Sequence, residues 1–140
     1  MIRLALLLAA LIPSLALADY GSARVDEVRA IYDGDSFHAT IADWPQIIGD
    51  DVMIRINGID APELRARCDN EKQQAMAAKQ WLVAKLRGAK TIELRHMERG
   101  KYFRIVADVY ADGEDVGYEM LRQGLAVPYD GGKKANPWCR

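Results

Sequence analysis

Short runs of alternating apolar and polar residues, separated by turn residues, constrain the fold of this 140-residue chain more than any other feature. Every second residue is apolar between positions 36 and 41 and again between 52 and 56, which is the period of a β-strand with one buried face. An Asp-Gly pair precedes the first run and a Gly-Asp pair precedes the second, and both are turn signals. With a β-compatible run at 24–31, these segments predict a three-stranded meander.

The second half of the chain mixes helical and strand patterns. Apolar residues at helical spacing predict a helix over 70–88 that Asn70 caps, and a shorter helix over 116–123. Strands are predicted at 91–97 and 104–110. Two helices are too few to connect the strands of a parallel sheet. We therefore predict a mainly β fold of the α+β class, a five-stranded, partly closed barrel of the oligonucleotide-binding type with two to three helices.

The first 18 residues have the three parts of a secretory signal peptide. Arg3 gives a positive start, Leu4 to Leu17 is almost continuously apolar, and a small-x-small pattern ends at Ala18, before Asp19. The alternative is an uncleaved membrane anchor, but a bilayer requires roughly 20 apolar residues, and this run is shorter and interrupted by a Pro-Ser pair. Cleavage between Ala18 and Asp19 is therefore predicted.

The predicted mature chain, residues 19–140, has 122 residues, enough for one domain with one core. Its 18 Lys and Arg and 20 Asp and Glu give a net charge of −2 with His neutral. This balance argues against a protein that coats polyanions, which would be strongly basic. We expect a monomer in the periplasm or outside the cell, with no stable membrane association. Any nucleic-acid site must be a local basic patch, helped by a metal ion.

Two cysteines, Cys68 and Cys139, remain in the predicted mature chain. An even number of cysteines in a small exported domain predicts a disulfide, which would stabilise the fold by roughly 4 kcal/mol for a loop of about 70 residues. Two unpaired thiols are the alternative. Zinc ligation is disfavoured because neither cysteine has a Cys or His at ligand spacing.

The densest polar cluster of the sequence lies around the end of the third predicted strand. Arg55, Asp60 and Glu63 fall within nine residues, while Asp33 and Asp35 flank the glycine of the first turn. Each part also has a plain structural explanation: turn chemistry for the aspartates, a capped turn for Asp60 and Glu63, and a solvated strand side chain for Arg55. The ends of adjoining strands meet in a meander, so the five side chains are candidates to converge on one point.

Such a convergence would suit phosphodiester hydrolysis. That reaction needs an activated water, neutralised charge on the phosphoryl oxygens and a stabilised leaving oxygen. Carboxylate oxygens bind a hard cation such as Ca²⁺, and a free carboxylate can take the proton of the water. Arginine binds phosphate through a fixed fork of donors. Arg104, at the start of a predicted strand, is the second candidate arginine.

The motifs that carry these residues resemble the staphylococcal nuclease (thermonuclease) family, particularly its small exported bacterial members. The resemblance covers roughly positions 25–129 and is most specific in the Arg-x-x-Gly-Ile-Asp-Ala-Pro-Glu string. The matching segments are Asp33–Ser36, Ile54–Glu63, Lys101–Arg104, Ala107–Tyr110 and Leu121–Ala126. It implies a five-stranded barrel that cleaves phosphodiesters with calcium.

The resemblance also implies residue roles at the metal site. Asp35 and Asp60 match the carboxylate calcium ligands, and Ala61 matches the position whose backbone carbonyl completes the protein's share. Asp33 matches a nearby acid that shapes the metal site. Glu63 matches the proposed general base.

On the substrate side, Arg55 and Arg104 match the pair that contacts the phosphate. The implied cleavage breaks the bond between phosphorus and the 5′-oxygen of DNA or RNA and leaves 3′-phosphates. Single strands are the favoured substrate, with Lys101, Tyr102 and Tyr129 as substrate contacts.

One departure from the family pattern lies next to this set. Phe103 stands where family members commonly carry glycine, and we expect its bulk to affect the direction of Arg104.

Two other readings of the sequence stay open. The first is a non-catalytic barrel that binds single-stranded nucleic acid or a protein. The second is an exported structural protein that uses calcium only for stability.

Overall fold

The computed structural model of the protein describes residues 19–139. The predicted signal peptide, residues 1–18, lies outside the described residues, and so does the question of its cleavage. Within residues 19–139, none of the helices has the length and apolar character needed to cross a bilayer.

Nine strands and three helices make up the described chain. In chain order they are β1 (Ala23–Val25), β2 (Glu27–Ile31), β3 (Ser36–Thr40), α1 (Gln46–Gly49), β4 (Val52–Ile56), β5 (Ile59–Asp60), α2 (Asp69–Gly88), β6 (Ile92–Arg99), β7 (Ile105–Ala111), β8 (Glu114–Asp115), α3 (Val116–Arg122) and β9 (Val127–Pro128). A single 3-10 turn, Lys101–Phe103, connects β6 to β7.

The principal sheet has the order β1-β6-β7-β4-β3-β2, and β8 pairs with β7. Strands β2, β3 and β4 form an antiparallel meander, which confirms the prediction for the first half of the chain. Strand β4 then pairs with β7 in parallel.

Only Asp26 separates β1 from β2, so one bent strand supplies both edges of the sheet. The sheet therefore curls on itself as five strands, and the predicted α+β barrel with its helices is confirmed.

Alternating apolar side chains fill the interior of this curled sheet. In β3 and β4 the residues at every second position are buried, because their side chains point to one face of each strand. Helix α2 covers one side with a buried stripe at helical spacing. The largest fully buried apolar side chains are Phe37, Ile41, Ile54, Ile56, Ile59, Leu82, Leu86, Leu94, Val109, Val116 and Met120.

Some local predictions were wrong by a few residues. Helix α2 begins at Asp69 with Cys68 as its cap rather than Asn70, since the Cys68 sulfur accepts a hydrogen bond from the Glu71 N–H at 3.4 Å. The loop after β3 contains the short helix α1. The first difference concerns a helix end, where local signals are weakest, and the second is a helix of four residues within a loop.

Gly34 sets the distance between the first turn, the segment after β5 and helix α2. A Cβ atom at this position would lie 2.8 Å from the Cβ atoms of both Ala61 and Ala78. Real Cβ atoms do not approach so closely, so a glycine is required for this packing. The turn that carries Asp35 is thereby held against the segment that carries Asp60.

Candidate active site

Three segments bring the predicted acids and Arg55 together where β3 begins and β4 ends. Asp33 and Asp35 lie in the turn before β3, and Asp60 ends β5. The register of β3 and β4 pairs Ser36 with Arg55. Because the pairing is antiparallel, the residues just before β3 lie beside the end of β4. The fold thus brings together the acids that the sequence places 25 positions apart, Asp35 and Asp60.

Arg55 is buried and contacts both of these acids. Its Nη1 lies 2.9 Å from Asp35 Oδ2, and its Nη2 lies 3.6 Å from Asp60 Oδ1. Nη2 also donates a hydrogen bond to the carbonyl oxygen of Ile59 at 3.1 Å. The side chains of the three charged residues are 8% exposed or less. Arg55 is therefore a buried counter-charge and not a solvated strand residue.

The Asp35 carboxylate is held by several donors besides Arg55. Ser36 Oγ donates to Oδ1 at 2.8 Å, and the Ala61 N–H donates to Oδ2 at 2.9 Å. Asp35 in turn donates its backbone N–H to Asp33 Oδ1 at 3.2 Å. Ala61 is buried beside Asp35, so the residue with the candidate carbonyl ligand lies next to the candidate carboxylate.

Lys134, from the chain after β9, contributes a second cation. Its Nζ lies 2.7 Å from Asp60 Oδ1 and 2.9 Å from Glu63 Oε1. Acids and cations therefore alternate along a row, which we call the charged row: Asp35, Arg55, Asp60, Lys134 and Glu63. No local sequence signal indicates this contact of Lys134. Only the long-range packing of the tail reveals the contact.

Burial and neighbouring charge shift the pKa of several of these groups. Burial and the nearby carboxylate of Asp35 raise the pKa of Asp33 from 3.8 to about 6. Burial also raises the pKa of Asp60, although Lys134 and Arg55 oppose the shift. Burial alone would lower the pKa of Lys134, but its bonds to Asp60 and Glu63 raise it overall. For Asp60, the cost of burying the charge therefore outweighs the effect of its two cationic neighbours.

Asp60 Oδ1 is the atom of the charged row best suited to bind a further cation. It is buried and, within residues 19–139, forms no hydrogen bond of normal geometry despite the nearby Lys134 and Arg55. Carboxylate and carbonyl oxygens are the ligands that Ca²⁺ prefers. Asp35, Asp60 and the Ala61 carbonyl therefore fit a hard divalent cation.

A different cluster in the described chain has three potential ligand atoms within 4.8 Å of one another: Cys68, Glu71 and Cys139. Its two cysteines form a disulfide, so they supply no thiolate to a metal ion. The acids of the charged row form no such tight group in the same residues, since Arg55 and Lys134 alternate with them. The disulfide cluster is therefore structural, and the candidate metal ligands are the acids of the charged row.

Arg55 and Arg104 line one cavity of about 270 Å³, together with Lys101 and Tyr129. The Arg55 guanidinium carbon lies 5.2 Å from the centre of the Tyr129 ring. Buried Arg104 Nε has no hydrogen-bond partner in the described part of the chain. The cavity therefore offers guanidinium donors for an anionic group.

The 3-10 turn next to Arg104 has an unusual backbone. Tyr102 and Phe103 have φ angles of 58° and 60°, in the left-handed region that favours glycine. Both side chains are almost fully exposed, and the Phe103 ring centre lies 5.9 Å from the guanidinium carbon of Arg99. Arg104 still lines the cavity, so the bulk of Phe103 is accommodated in solvent.

Glu71 is a residue of this region that sequence reasoning did not single out. Its buried carboxylate accepts hydrogen bonds from the N–H of Arg67 at 2.8 Å and of Glu63 at 3.4 Å. A Glu in the first turn of a helix commonly bonds backbone N–H groups just before the helix. Glu71 thus fixes the segment between Glu63 and helix α2. The available signal was its place in the first turn of the predicted helix.

The barrel and its acid- and arginine-lined site together define a class, an oligonucleotide-binding-type barrel with a polar site at the strand ends. Comparison with known families places the chain within this class. The family described as "Staphylococcal nuclease homologue" matches residues 53–137, and the chain belongs to this family. The resemblance noted in the sequence is confirmed by this match.

Several fungal proteins named "Probable endonuclease LCL3" are similar to this chain. The protein of Phaeosphaeria nodorum is 34% identical over 96 residues, which cover 64% of this chain and 32% of the relative. Those of Neosartorya fischeri and Colletotrichum graminicola are 32% and 33% identical, and their matches cover 74% of this chain and 44% and 45% of the relatives. The chain thus spans about a third to just under half the length of the relatives it matches. The expected bacterial origin stays a prediction.

Proposed function

We propose that the protein is a calcium-dependent nuclease that hydrolyses DNA and RNA without selecting the sugar. One observation carries the proposal: a single buried guanidinium, that of Arg55, contacts both Asp35 and Asp60 beside a cavity that Arg104 also lines. Family membership supports the same reaction, as do the names of the relatives.

In the proposed reaction a water oxygen attacks phosphorus, and the bond between phosphorus and the 5′-oxygen breaks. Glu63 accepts a proton from the attacking water. The 5′-oxygen takes up a proton from the solvent as it leaves as a hydroxyl, so that a 3′-phosphate remains. Arg55 and Arg104 donate hydrogen bonds to the phosphoryl oxygens. Calcium, when bound by Asp35, Asp60 and the carbonyl of Ala61, supplies positive charge at the reacting phosphate.

Substrate contacts outside the phosphate follow from the residues around the cavity. Lys101 and Tyr129 line it, and exposed Tyr102 lies in the adjoining turn. Exposed aromatic side chains stack on unpaired bases of any sequence. Single-stranded DNA and RNA are therefore the proposed preferred substrates.

We also propose that the protein works as a monomer in the periplasm or outside the cell, after cleavage between Ala18 and Asp19. The disulfide between Cys68 and Cys139 supports this location, because disulfides persist in oxidising compartments. Sequencing the N-terminus of the exported protein tests the cleavage site.

Incubation of the purified protein with single-stranded DNA tests the nuclease proposal. We expect cleavage with Ca²⁺ and almost none with a chelator. Arg104→Ala should lower turnover by at least about 10²-fold, as the loss of a charge-stabilising donor does in other enzymes. Arg95→Ala is the matched control, since Arg95 pairs with Glu93 on the surface of β6. Binding of DNA without cleavage would favour the alternative of a non-catalytic binding module, and equal cleavage in chelator would exclude the calcium assignment.

A further inference from the structure

The charged row contains one residue that the proposed reaction does not use. Lys134 Nζ lies 2.7 Å from Asp60 Oδ1 and 2.9 Å from Glu63 Oε1. It thus bridges a candidate metal ligand and the candidate general base. The Asp60 side chain is 3% exposed and the Lys134 side chain is 44% exposed, so the ammonium group reaches the buried carboxylate from the solvent side.

Anchors on both sides of Lys134 hold the tail in this place. On one side, the Tyr129 N–H donates to the carbonyl oxygen of Gly58 at 2.9 Å. On the other side, the Cys139 disulfide ties the tail to Cys68 at the start of α2, and Trp138 is buried. The side-chain amide of Asn70 also donates to the carbonyl oxygen of Trp138 at 2.7 Å.

The tail is therefore attached to the same helix end that Glu71 joins to the Glu63 segment. These contacts fix the backbone on both sides of Lys134, so the fold determines where the lysine lies.

An ammonium group and a divalent cation compete for these oxygens. Both are attracted to Asp60 Oδ1, the buried oxygen without a hydrogen bond of normal geometry in the described chain. Two positive groups at contact distance from one oxygen repel each other strongly in a partly buried site. A cation of higher charge can take the oxygen only if the lysine withdraws. Lys134 has a flexible four-carbon stem and part of its surface in solvent, so it can do so.

We propose that Lys134 is a cation built into the chain that competes with calcium for Asp60 and Glu63 and so sets the calcium affinity of the site. The inference rests on the calcium site of the proposed function. When Lys134 leaves, it also frees Glu63 to accept a proton. The lysine thereby keeps the candidate base paired until the metal arrives.

Calorimetric titration with Ca²⁺ alone tests the competition, and it requires no catalysis. Lys134→Met should bind Ca²⁺ at least about 10-fold more tightly than the unaltered protein, because a competing unit charge at contact distance is removed. Lys133→Met is the matched control: Lys133 is exposed and makes no ion pair within residues 19–139, so its affinity should change by less than about 2-fold.

A second measurement on the unaltered protein does not depend on any variant. Acetic anhydride labels accessible lysines, and mass spectrometry gives the extent of labelling at each. Lys134 should react more slowly than Lys133 without calcium and should approach the rate of Lys133 at saturating Ca²⁺. The Lys133 rate should stay constant, which separates displacement of one residue from a general loosening.

Unchanged or weaker calcium binding by Lys134→Met would overturn the inference while leaving the calcium site in place. Labelling of Lys134 that does not respond to bound Ca²⁺ would overturn it as well. If neither protein binds Ca²⁺ saturably, the calcium site of the proposed function fails together with the competition.

Discussion

Two buried acids, Glu71 and Asp60, lie on either side of the segment that carries Glu63, and their surroundings differ. Glu71 is fully buried, and both of its carboxylate oxygens accept hydrogen bonds. Burial alone would raise its pKa, but the backbone and side-chain bonds from Arg67 and the N–H of Glu63 lower it overall. Asp60 is equally buried, yet its Oδ1 has no hydrogen bond of normal geometry in the described residues, and its pKa is raised.

The comparison teaches that hydrogen bonding, more than burial, decides whether an ionised acid stabilises the fold. A carboxylate whose oxygens accept hydrogen bonds from backbone and side-chain donors stabilises the fold in its ionised form. A buried carboxylate oxygen without a hydrogen bond is stabilised only by nearby cations. Glu71 therefore holds the segment between Glu63 and helix α2, while Asp60 Oδ1 depends on the cations beside it, Lys134 and Arg55.

The largest expected effect is the loss of activity in Asp60→Asn. An amide keeps the shape of the side chain but not its charge, so calcium-dependent cleavage should fall by at least about 10²-fold. The free energy of unfolding at neutral pH should stay unchanged or rise, because the charged form is disfavoured in the fold. Cleavage assays and urea unfolding measure the two quantities. A large loss of stability would remove the contrast with Glu71.

Glu71→Gln should show the opposite combination. Replacing the ionised acid leaves the donors of Arg67 and Glu63 without a charged acceptor, which should lower the free energy of unfolding by about 1–3 kcal/mol. Turnover per folded molecule should fall far less than in Asp60→Asn, since Glu71 contacts no substrate in the proposed reaction. Urea unfolding measures the stability, and the cleavage rate divided by the concentration of folded protein measures the turnover. If Glu71→Gln were stable but inactive, Glu71 would have a functional role like Asp60, and the contrast between the two acids would fail.

Gly34→Ala tests whether close packing at Gly34 holds the segment that carries Asp60 against the turn that carries Asp35. The added methyl group would meet Ala61 and Ala78 at 2.8 Å, and such overpacking costs about 1–3 kcal/mol. The turn with Asp35 should move away from Ala61, so calcium binding should weaken as well. Gly113→Ala is a comparison variant, because its Cβ meets nothing within 4 Å and its strain is confined to a positive φ of 82°. It should lower stability without weakening calcium binding.

The smallest expected effect is on the pH dependence of stability. Asp33 has a pKa of about 6 in the fold against 3.8 for the free group, through burial and the charges of Asp35 and Glu63. Its stabilising contribution is therefore complete below pH 3.8 and is lost as the pH rises through about 6. Glu71, whose pKa is lowered, contributes in the opposite direction, with stability lost as the pH falls through its folded pKa.

Urea unfolding between about pH 4 and about pH 7 measures this dependence. In Asp33→Asn the fall in stability with rising pH should be reduced relative to the unaltered protein. A profile identical in both proteins would show that Asp33 titrates normally.

Much of the fold and part of the site could be predicted because their signals are local. Alternation at 36–41 and 52–56 identifies the meander, and an antiparallel register then requires Asp35 to lie beside Arg55. The burial of Arg55 could not be predicted. Strand period places it on the polar face, and only the closed sheet and the segment after β5 cover it.

The contacts of Lys134 and Glu71 could not be predicted from the sequence, because they depend on long-range packing. Nothing in a Lys-Lys pair near a chain end indicates which lysine meets an acid 74 positions away, Asp60. That contact depends on where the disulfide fixes the tail. The signal for Glu71 is local, but its meaning becomes clear only when the N–H groups of Glu63 and Arg67 point at it.

The bend at Asp26 affects how copies of this protein can associate through their sheets. A single strand serves as both borders of the sheet, and each border is short, three residues in β1 and five in β2. Short borders offer few open N–H and C=O groups on which a second molecule could extend the sheet. Folded molecules at high concentration should therefore resist strand-by-strand association.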